Sequence, residues 1–216
     1  MTAELAVTEF LDHDHPTIQE FVAGKASGTT LERAIALYKA VRDGVHYEVY
    51  GADLSRDGLR ASTVLRRGSG MCIHKSVLYA STLRAIGVPS RLVFTDVRNH
   101  LASPRLTELI GGDVFTYHCL VSVQLNGCWV KATPVFNRLL CKLYRIAPLE
   151  FDGTQDSLHH PFDLKGRRHM EFVHQHGEFA DLPYEQLLTG LRAAHPGIFA
   201  TEDTFTTGSL VADATR

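Results

Sequence analysis

The stretch from Ile73 to Ile86 constrains the fold more than any other part of the chain. It sets Ile73, Val77, Leu78, Ala80, Leu83, Ala85 and Ile86 around most of a helical circumference. A helix with apolar residues on several sides must sit at the centre of a fold, covered from more than one direction. Gly87-Val-Pro89 ends it, because glycine supplies the C-terminal turn and proline cannot continue a helix. With 216 residues, 44% of them hydrophobic, the chain can build one domain around such a helix.

Immediately before this helix stands Cys72, at the end of the glycine-rich run Arg67-Gly-Ser-Gly-Met-Cys72. A thiol at a helix N-terminus feels the positive end of the dipole and several unpaired N–H groups, which favour the thiolate. An imidazole beside it could take the thiol proton and complete a nucleophile. His118 is the candidate, in a run that reads as a strand.

From Phe115 to Leu125 the residues alternate, with Tyr117, Cys119, Val121, Val123 and Leu125 on one face and His118, Leu120 and Ser122 on the other. Asn126-Gly127 is a strong signal for a two-residue type I′ hairpin turn, with Cys128 to Thr133 as the returning strand. In that register Leu125 faces Cys128, Leu120 faces Thr133 and His118 faces Val135. His118, Thr133 and Asn137 then project to one face, with Thr133 and Asn137 as diagonal neighbours of His118 at about 7–8 Å. Pro134 can bend the strand, which bears more on Asn137 than on Thr133. Cys119 points the other way. A thiol–imidazole pair so placed attacks an acyl carbon, forms a thioester and passes the acyl group to water or an amine. A third residue holds the imidazole in the useful tautomer, and the Cys72 N–H at the helix start offers one oxyanion donor. This chemistry requires sulfur and ring nitrogen to meet in a cleft that water can reach.

Elsewhere the pattern is plainer. Leu31 to Val41 reads as a helix capped by Thr29 or Thr30. Val45 to Tyr50 reads as extended, Leu54 to Val64 as turn-rich, Arg91 to Val97 as a strand, and Arg98 to Gly112 as a loop or short helix. After Leu149 the chain turns rich in Asp, His, Pro and Gly, which suggests an irregular segment ending in a frayed tail from about Thr206. The expected organisation is a single domain over 1–216, with a core at about 31–149 and an appended segment over 150–216.

The formal charge is −2 with acids and bases interspersed, so no basic stripe exists to neutralise phosphates and no nucleic-acid partner is expected. Apolar runs fall short of a membrane span. Met1-Thr-Ala-Glu-Leu lacks a basic region followed by an apolar stretch, which points to a cytoplasmic protein without a membrane partner. Cys72, Cys119, Cys128 and Cys141 are then expected to be free thiols. Nothing in the sequence fixes an oligomeric state.

Gly68-Ser-Gly-Met-Cys72, followed by a helix and Leu83-Arg-Ala-Ile-Gly-Val-Pro-Ser-Arg91, resembles the nucleophile region of the transglutaminase-like superfamily in its bacterial stand-alone form. Tyr117-His118 and Gly127-Cys-Trp-Val-Lys-Ala-Thr-Pro134 resemble its histidine strand and the strand bearing its third residue. The three motifs occur in the family's order over roughly Leu31 to Phe136. The resemblance implies an α+β, papain-like fold, with a nucleophile helix packed on an antiparallel sheet. It also implies Cys72 as nucleophile and His118 as base. Members include transamidases, proteases, amidases and catalytically silent copies. The family's usual aspartate is replaced here by Thr133, whose hydroxyl can accept an imidazole N–H but stabilises an imidazolium less than a carboxylate; Asn137 is the second candidate.

The expected activity is cleavage or transfer of an amide-linked acyl group, with a cysteine peptidase or amidase favoured over a transamidase and a peptide or amide as substrate. A silent binding or scaffold module is the rival reading. No cofactor is expected. A metal-dependent hydrolase built on His159, His160, His169, His174 and His176 with Asp152, Asp156 and Asp163 is the weaker third reading, because no recognisable ligand spacing occurs. Cys72 with His74 makes a thinner metal pair still. Asp96, Arg98, Asn99 and His100 form a polar cluster after a strand, read together with Asp113 as a solvated loop.

Overall fold

The structure is a computed structural model, and it describes residues 2–25, 27–100, 102–159, 162–199 and 208–214. The central helix is α4, Cys72–Ala85, with every side chain from Cys72 to Arg84 buried. On one side it packs against α1 (Pro16–Ala23), α2 (Thr30–Gly44) and α3 (Ala61–Arg67). On the other lie two strands of a sheet, β3 (Ser90–Asn99) and β4 (Val114–Leu125). The α4 helix stops as its sequence requires. Gly87, at φ 78°, donates to Arg84 O at 2.9 Å, and Val88 donates to Leu83 O at 2.9 Å, the paired bonds of a Schellman turn. The start of α2 is fixed by a reciprocal box in which Glu32 N donates to Thr29 Oγ1 and Thr29 N donates to Glu32 Oε2.

The main sheet is antiparallel in the order β5-β4-β3-β6, with β5 at Cys128–Ala132 and β6 at Met170–Phe179. The β4–β5 hairpin turns at Asn126 (φ 51°) and Gly127 (φ 81°), both left-handed as a type I′ turn demands. Its ladder runs from Leu125↔Cys128 to Val121↔Ala132. There it stops, so the expected facing of Leu120 with Thr133 and of His118 with Val135 does not form. The Thr133 carbonyl accepts from Tyr38 Oη at 3.1 Å, and Pro134 has no N–H to continue the ladder. His118 pairs instead with Thr95 on β3.

A second correction lies two residues before the ladder resumes. The β3–β4 register shifts between Thr95 and Val97, and Tyr117 takes φ 59°. The strict alternation expected from Phe115 onward therefore begins only at His118.

Two short strands, β1 (His46–Tyr47) and β2 (Ser69–Gly70), pair in parallel and lay the glycine approach beside Tyr47. The turn-rich reading of Leu54 to Val64 gives way to α3 at its end, and Arg98 to Gly112 contains α5, Pro104–Ile110, with Leu101 outside the described residues. Two more helices, α6 (Arg138–Tyr144) and α7 (Tyr184–Ala194), and β6 complete the late half. The frayed tail is also corrected in part. Residues 206, 207, 215 and 216 lie outside the described residues, but Leu210–Ala214 forms a last short helix, α8, with Leu210 3% exposed. Among the described residues no helix is long and apolar enough to cross a membrane.

Candidate active site

Cys72 opens α4, where the backbone N–H groups of Cys119, Ile73 and Cys72 itself act to lower its thiol. Those N–H groups favour the thiolate, as a helix start should. Burial outweighs them: the side chain has no exposure, and the thiol is pushed up to about 12. The water-reachable cleft expected from the sequence is therefore closed in this structure. Cys119, whose N–H meets the sulfur, directly follows His118, so the nucleophile lies against the strand carrying the imidazole.

His118 is 7% exposed, and burial, followed by the nearby His159, pushes its imidazole down to about 4. With the thiol raised and the imidazole lowered, both rest neutral near pH 7. Among the described residues neither ring nitrogen of His118 has a hydrogen-bond partner. The ring lines two spaces, an apolar cavity of about 60 Å³ and a pinhole of about 10 Å³.

Thr133 and His159 share the smaller space with His118. The Thr133 hydroxyl donates to Leu158 O at 2.6 Å, which leaves its lone pairs to accept. Asn137 caps α6 and its Oδ1 accepts from Tyr47 N at 3.4 Å; it lines neither space beside His118. Thr133 and His118 thus meet at one cavity, and Asn137 does not join them there.

The sequence profile of the transglutaminase-like superfamily matches residues 16–134. The chain belongs to that superfamily. No curated protein matches the sequence. Among solved structures, a proposed cysteine protease from Cytophaga hutchinsonii is similar with a TM-score of 0.50 and 16% identity, over 82% of this chain and 46% of that one. The chain thus spans under half of that protein's length, and the likeness is one of fold, in keeping with the α+β, papain-like architecture. A proposed protease from Parabacteroides distasonis is more distant, with a TM-score of 0.38 and 18% identity over 60% of this chain and 25% of that one.

Two further residues of this transglutaminase-like site went unread in the sequence. Ser76 lies one helical turn after Cys72, on the same face of α4, and its Oγ donates to Cys119 O at 2.9 Å. It thereby ties the Cys119 main chain, whose N–H faces the Cys72 sulfur, to α4. The i, i+4 spacing from Cys72 was the available signal. Tyr47 packs edge-on to Phe136 at 4.9 Å, and its phenol is raised far above the ordinary range by burial and then by Cys72. Only the short β1–β2 pairing brings it there, and no local pattern announces that.

Of the polar cluster, Asp96, Arg98 and Asn99 lie in β3 itself rather than in a solvated loop after a strand, and Asn99 lines the larger cavity beside His118. Arg98 pairs with Glu171 at 3.1 Å and Asp113 at 3.3 Å, and His100 lies 3.4 Å from Glu171. Asp96 instead accepts from Tyr117 N at 3.1 Å and lies 2.6 Å from His176 Nε2, pinning the bulge that sets the phase of His118. The late histidines disperse: His159 and His169 border the cavities beside His118, His174 and His176 lie on β6, and His160 is outside the described residues. Among the described residues no three metal-ligating groups converge.

Proposed function

We propose that the protein is a cysteine amidase or peptidase that passes through a thioester at Cys72. The observation that carries this reading is the placement of the Cys72 sulfur at the start of α4, against the peptide N–H that follows His118. In the forward step Cys72 gives its proton to a ring nitrogen of His118 as sulfur bonds to the acyl carbon. The carbonyl electron pair moves to oxygen, held in part by the Cys72 N–H. Collapse of that intermediate breaks the C–N bond, and the imidazolium returns the proton to the departing amine. Water, deprotonated by His118, then cleaves the thioester. Thr133 orients the imidazole by accepting its other N–H, with Asn137 the alternative.

Hydrolysis is favoured over transfer to an amine because, among the described residues, those that line the larger cavity include no carboxylate to hold an ammonium group. The substrate is a peptide or amide, with neither nucleic acid nor membrane as partner. Four free thiols suit a reducing compartment such as the cytoplasm. The test is turnover of a panel of peptide amides, with mass spectrometry of the trapped acyl-enzyme. Turnover that vanishes in Cys72→Ala and His118→Ala, with the acyl mass on Cys72, supports the reading; turnover unchanged in Cys72→Ala sinks it.

The rival reading, a silent transglutaminase-like module, is favoured by one observation: the sulfur is wholly buried with its thiol pushed up to about 12. Cellular function that survives Cys72→Ala would decide for it.

A further inference from the structure

The larger cavity beside His118 is walled mostly by residues outside the elements that carry Cys72 and His118. Val97, Leu106, Ile110, Phe115 and Leu140 make most of its surface apolar, and Leu210 of α8 lines it as well. Leu210 is 3% exposed although it stands in a helix of five residues. Helices that short do not hold themselves. Polar ties hold this one. Leu210 N donates to the Glu48 carboxylate at 3.1 and 3.3 Å, and Tyr144 Oη donates to Leu210 O at 3.2 Å. The Asp213 carboxylate accepts from Tyr50 Oη at 2.6 Å and Ser103 Oγ at 3.3 Å, with the Arg105 guanidinium 3.9 Å away. Before the helix, Gly208 runs so close to Tyr50 that a Cβ there would lie 2.4 Å from the ring. The ties converge on the loop after β1, on α5 with its N-cap Ser103, and on α6, which rim the cavity.

The cavity's size gives the second half of the argument. About 60 Å³ is too small for a leucine or phenylalanine side chain alongside Leu210, and it is bordered by Tyr47, next to Cys72, as well as by His118. A large side chain entering this cavity has to displace one of its lining groups, and Leu210, on the five-residue helix α8, is one of them. The surface it would then meet is hydrocarbon, with few polar groups to recognise a charged or amide side chain.

We propose that this cavity is the acyl-donor subsite, that it takes an aliphatic or aromatic side chain, and that α8 is an intramolecular lid whose Leu210 occupies the place of that side chain. This rests on the amidase reading of Cys72 and adds to it the substrate class and a means of control. A donor with a large apolar residue beside its scissile carbonyl exchanges one hydrocarbon contact for another on entry, and α8 swings out with its polar ties transferred to water. A donor with a small polar residue cannot make that exchange.

The test uses the full chain. Asp213→Asn loosens the ties and Leu210→Ala empties the plug without touching Cys72 or His118. Both are expected to raise the rate at which iodoacetamide modifies Cys72 by about tenfold, Asp213→Asn by losing a charge-assisted hydrogen bond and Leu210→Ala by losing the apolar burial that seats α8. Cys119, buried on the other face of β4, serves as the internal control and should not gain. In the Cys72→Ala background, N-acetyl-phenylalaninamide should bind more tightly to both lid variants than to the parent, and N-acetyl-serinamide should bind to none. An unchanged Cys72 rate in both variants, a parallel rise at Cys119, or equal binding of the two amides overturns the proposal. Binding is read without turnover, so a chain that gates and binds apolar amides but cleaves none would fail as an amidase while keeping the lid and its subsite.

Discussion

At the scale of single residues, the site is a set of ionisable groups held neutral by burial. His74, 1% exposed, places Nε2 2.9 Å from Asp53 O, while its buried Nδ1 has no partner among the described residues. Burial pushes it, like His118, down to about 4 from an ordinary 6.5. Protonation is disfavoured in the fold, so the unfolded chain takes up protons first as pH falls. The stability that both histidines confer is complete above about pH 6.5 and is lost between there and pH 4, by roughly 1–3 kcal/mol each. Urea midpoints between pH 7 and 4.5 should therefore drop steeply, and His118→Gln should flatten the slope; identical slopes in the two proteins would show that His118 is not buried neutral. Cys72 gives a companion expectation. Its thiol lies near 12 and is sealed, whereas Cys128 is exposed. In the native protein at pH 8, Cys128 should be alkylated first and Cys72 far more slowly, because burial both raises the Cys72 thiol and covers it. Peptide mapping over time reads the order directly, and early modification of Cys72 would mean an open resting site.

At the scale of elements, the glycine approach to the nucleophile holds two glycines for different reasons. Gly68 ends α3 in the left-handed region at φ 67°, with open space where a Cβ would go. At Gly70 a Cβ would lie 2.6 Å from His74 Cβ, because β2 runs directly over the first turn of α4. Gly68→Ala should thus cost about 1 kcal/mol in backbone strain, while Gly70→Ala must push β2 and the start of α4 apart, at about 1–3 kcal/mol. Thermal unfolding of both variants checks the ranking, and alkylation of Cys72 in Gly70→Ala should speed up as its cover loosens. The same contrast explains what the sequence made legible. Helices α2 and α4, with 15 and 14 residues, carry a full apolar period, a cap or a stop. The Asn126-Gly127 turn determines its own register. By comparison α1, α3 and α6 have 8, 7 and 7 residues, barely two turns each, too few to distinguish a period from chance. β6 reads Met-Glu-Phe-Val-His-Gln-His-Gly-Glu-Phe and none of its residues is buried, so an edge position removed the alternation that marks a strand. The candidates His118 and Thr133 could be named from the hairpin, but not their setting, because the ladder ends at Val121 and Ala132. The lid was not legible, since most of the ties that hold α8 reach residues more than a hundred positions away, such as Tyr50 to Asp213.

At the scale of the molecule, α4 departs from its own sequence pattern in an instructive way. A helix apolar around most of its circumference should turn Lys75 and Arg84 to water, yet both are buried, at 0% and 3% exposure. Each is spent on main-chain carbonyls. Lys75 Nζ, pushed down to about 7 by burial, donates to Arg42 O and Val45 O and so seals the end of α2. Arg84 reaches further, donating to Ala6 O at 2.7 Å, to Ser90 O at 2.9 Å and to Ala180 O. One guanidinium thus joins the N-terminal segment, the start of β3 and the chain leaving β6 to the central helix. Its planar fork can serve all three carbonyls at once, which an ammonium cannot. Arg84→Met keeps the stem but strands three carbonyls, and should lower stability by about 3 kcal/mol or more. Arg84→Lys should recover only part of that. Since the three segments belong to one core, the loss should appear as a lower urea midpoint with an unchanged slope. If instead amide exchange quickened only around Ala6 and Ala180 while the midpoint held, those segments would be peripheral flaps and α4 would not be the single hub on which the fold closes.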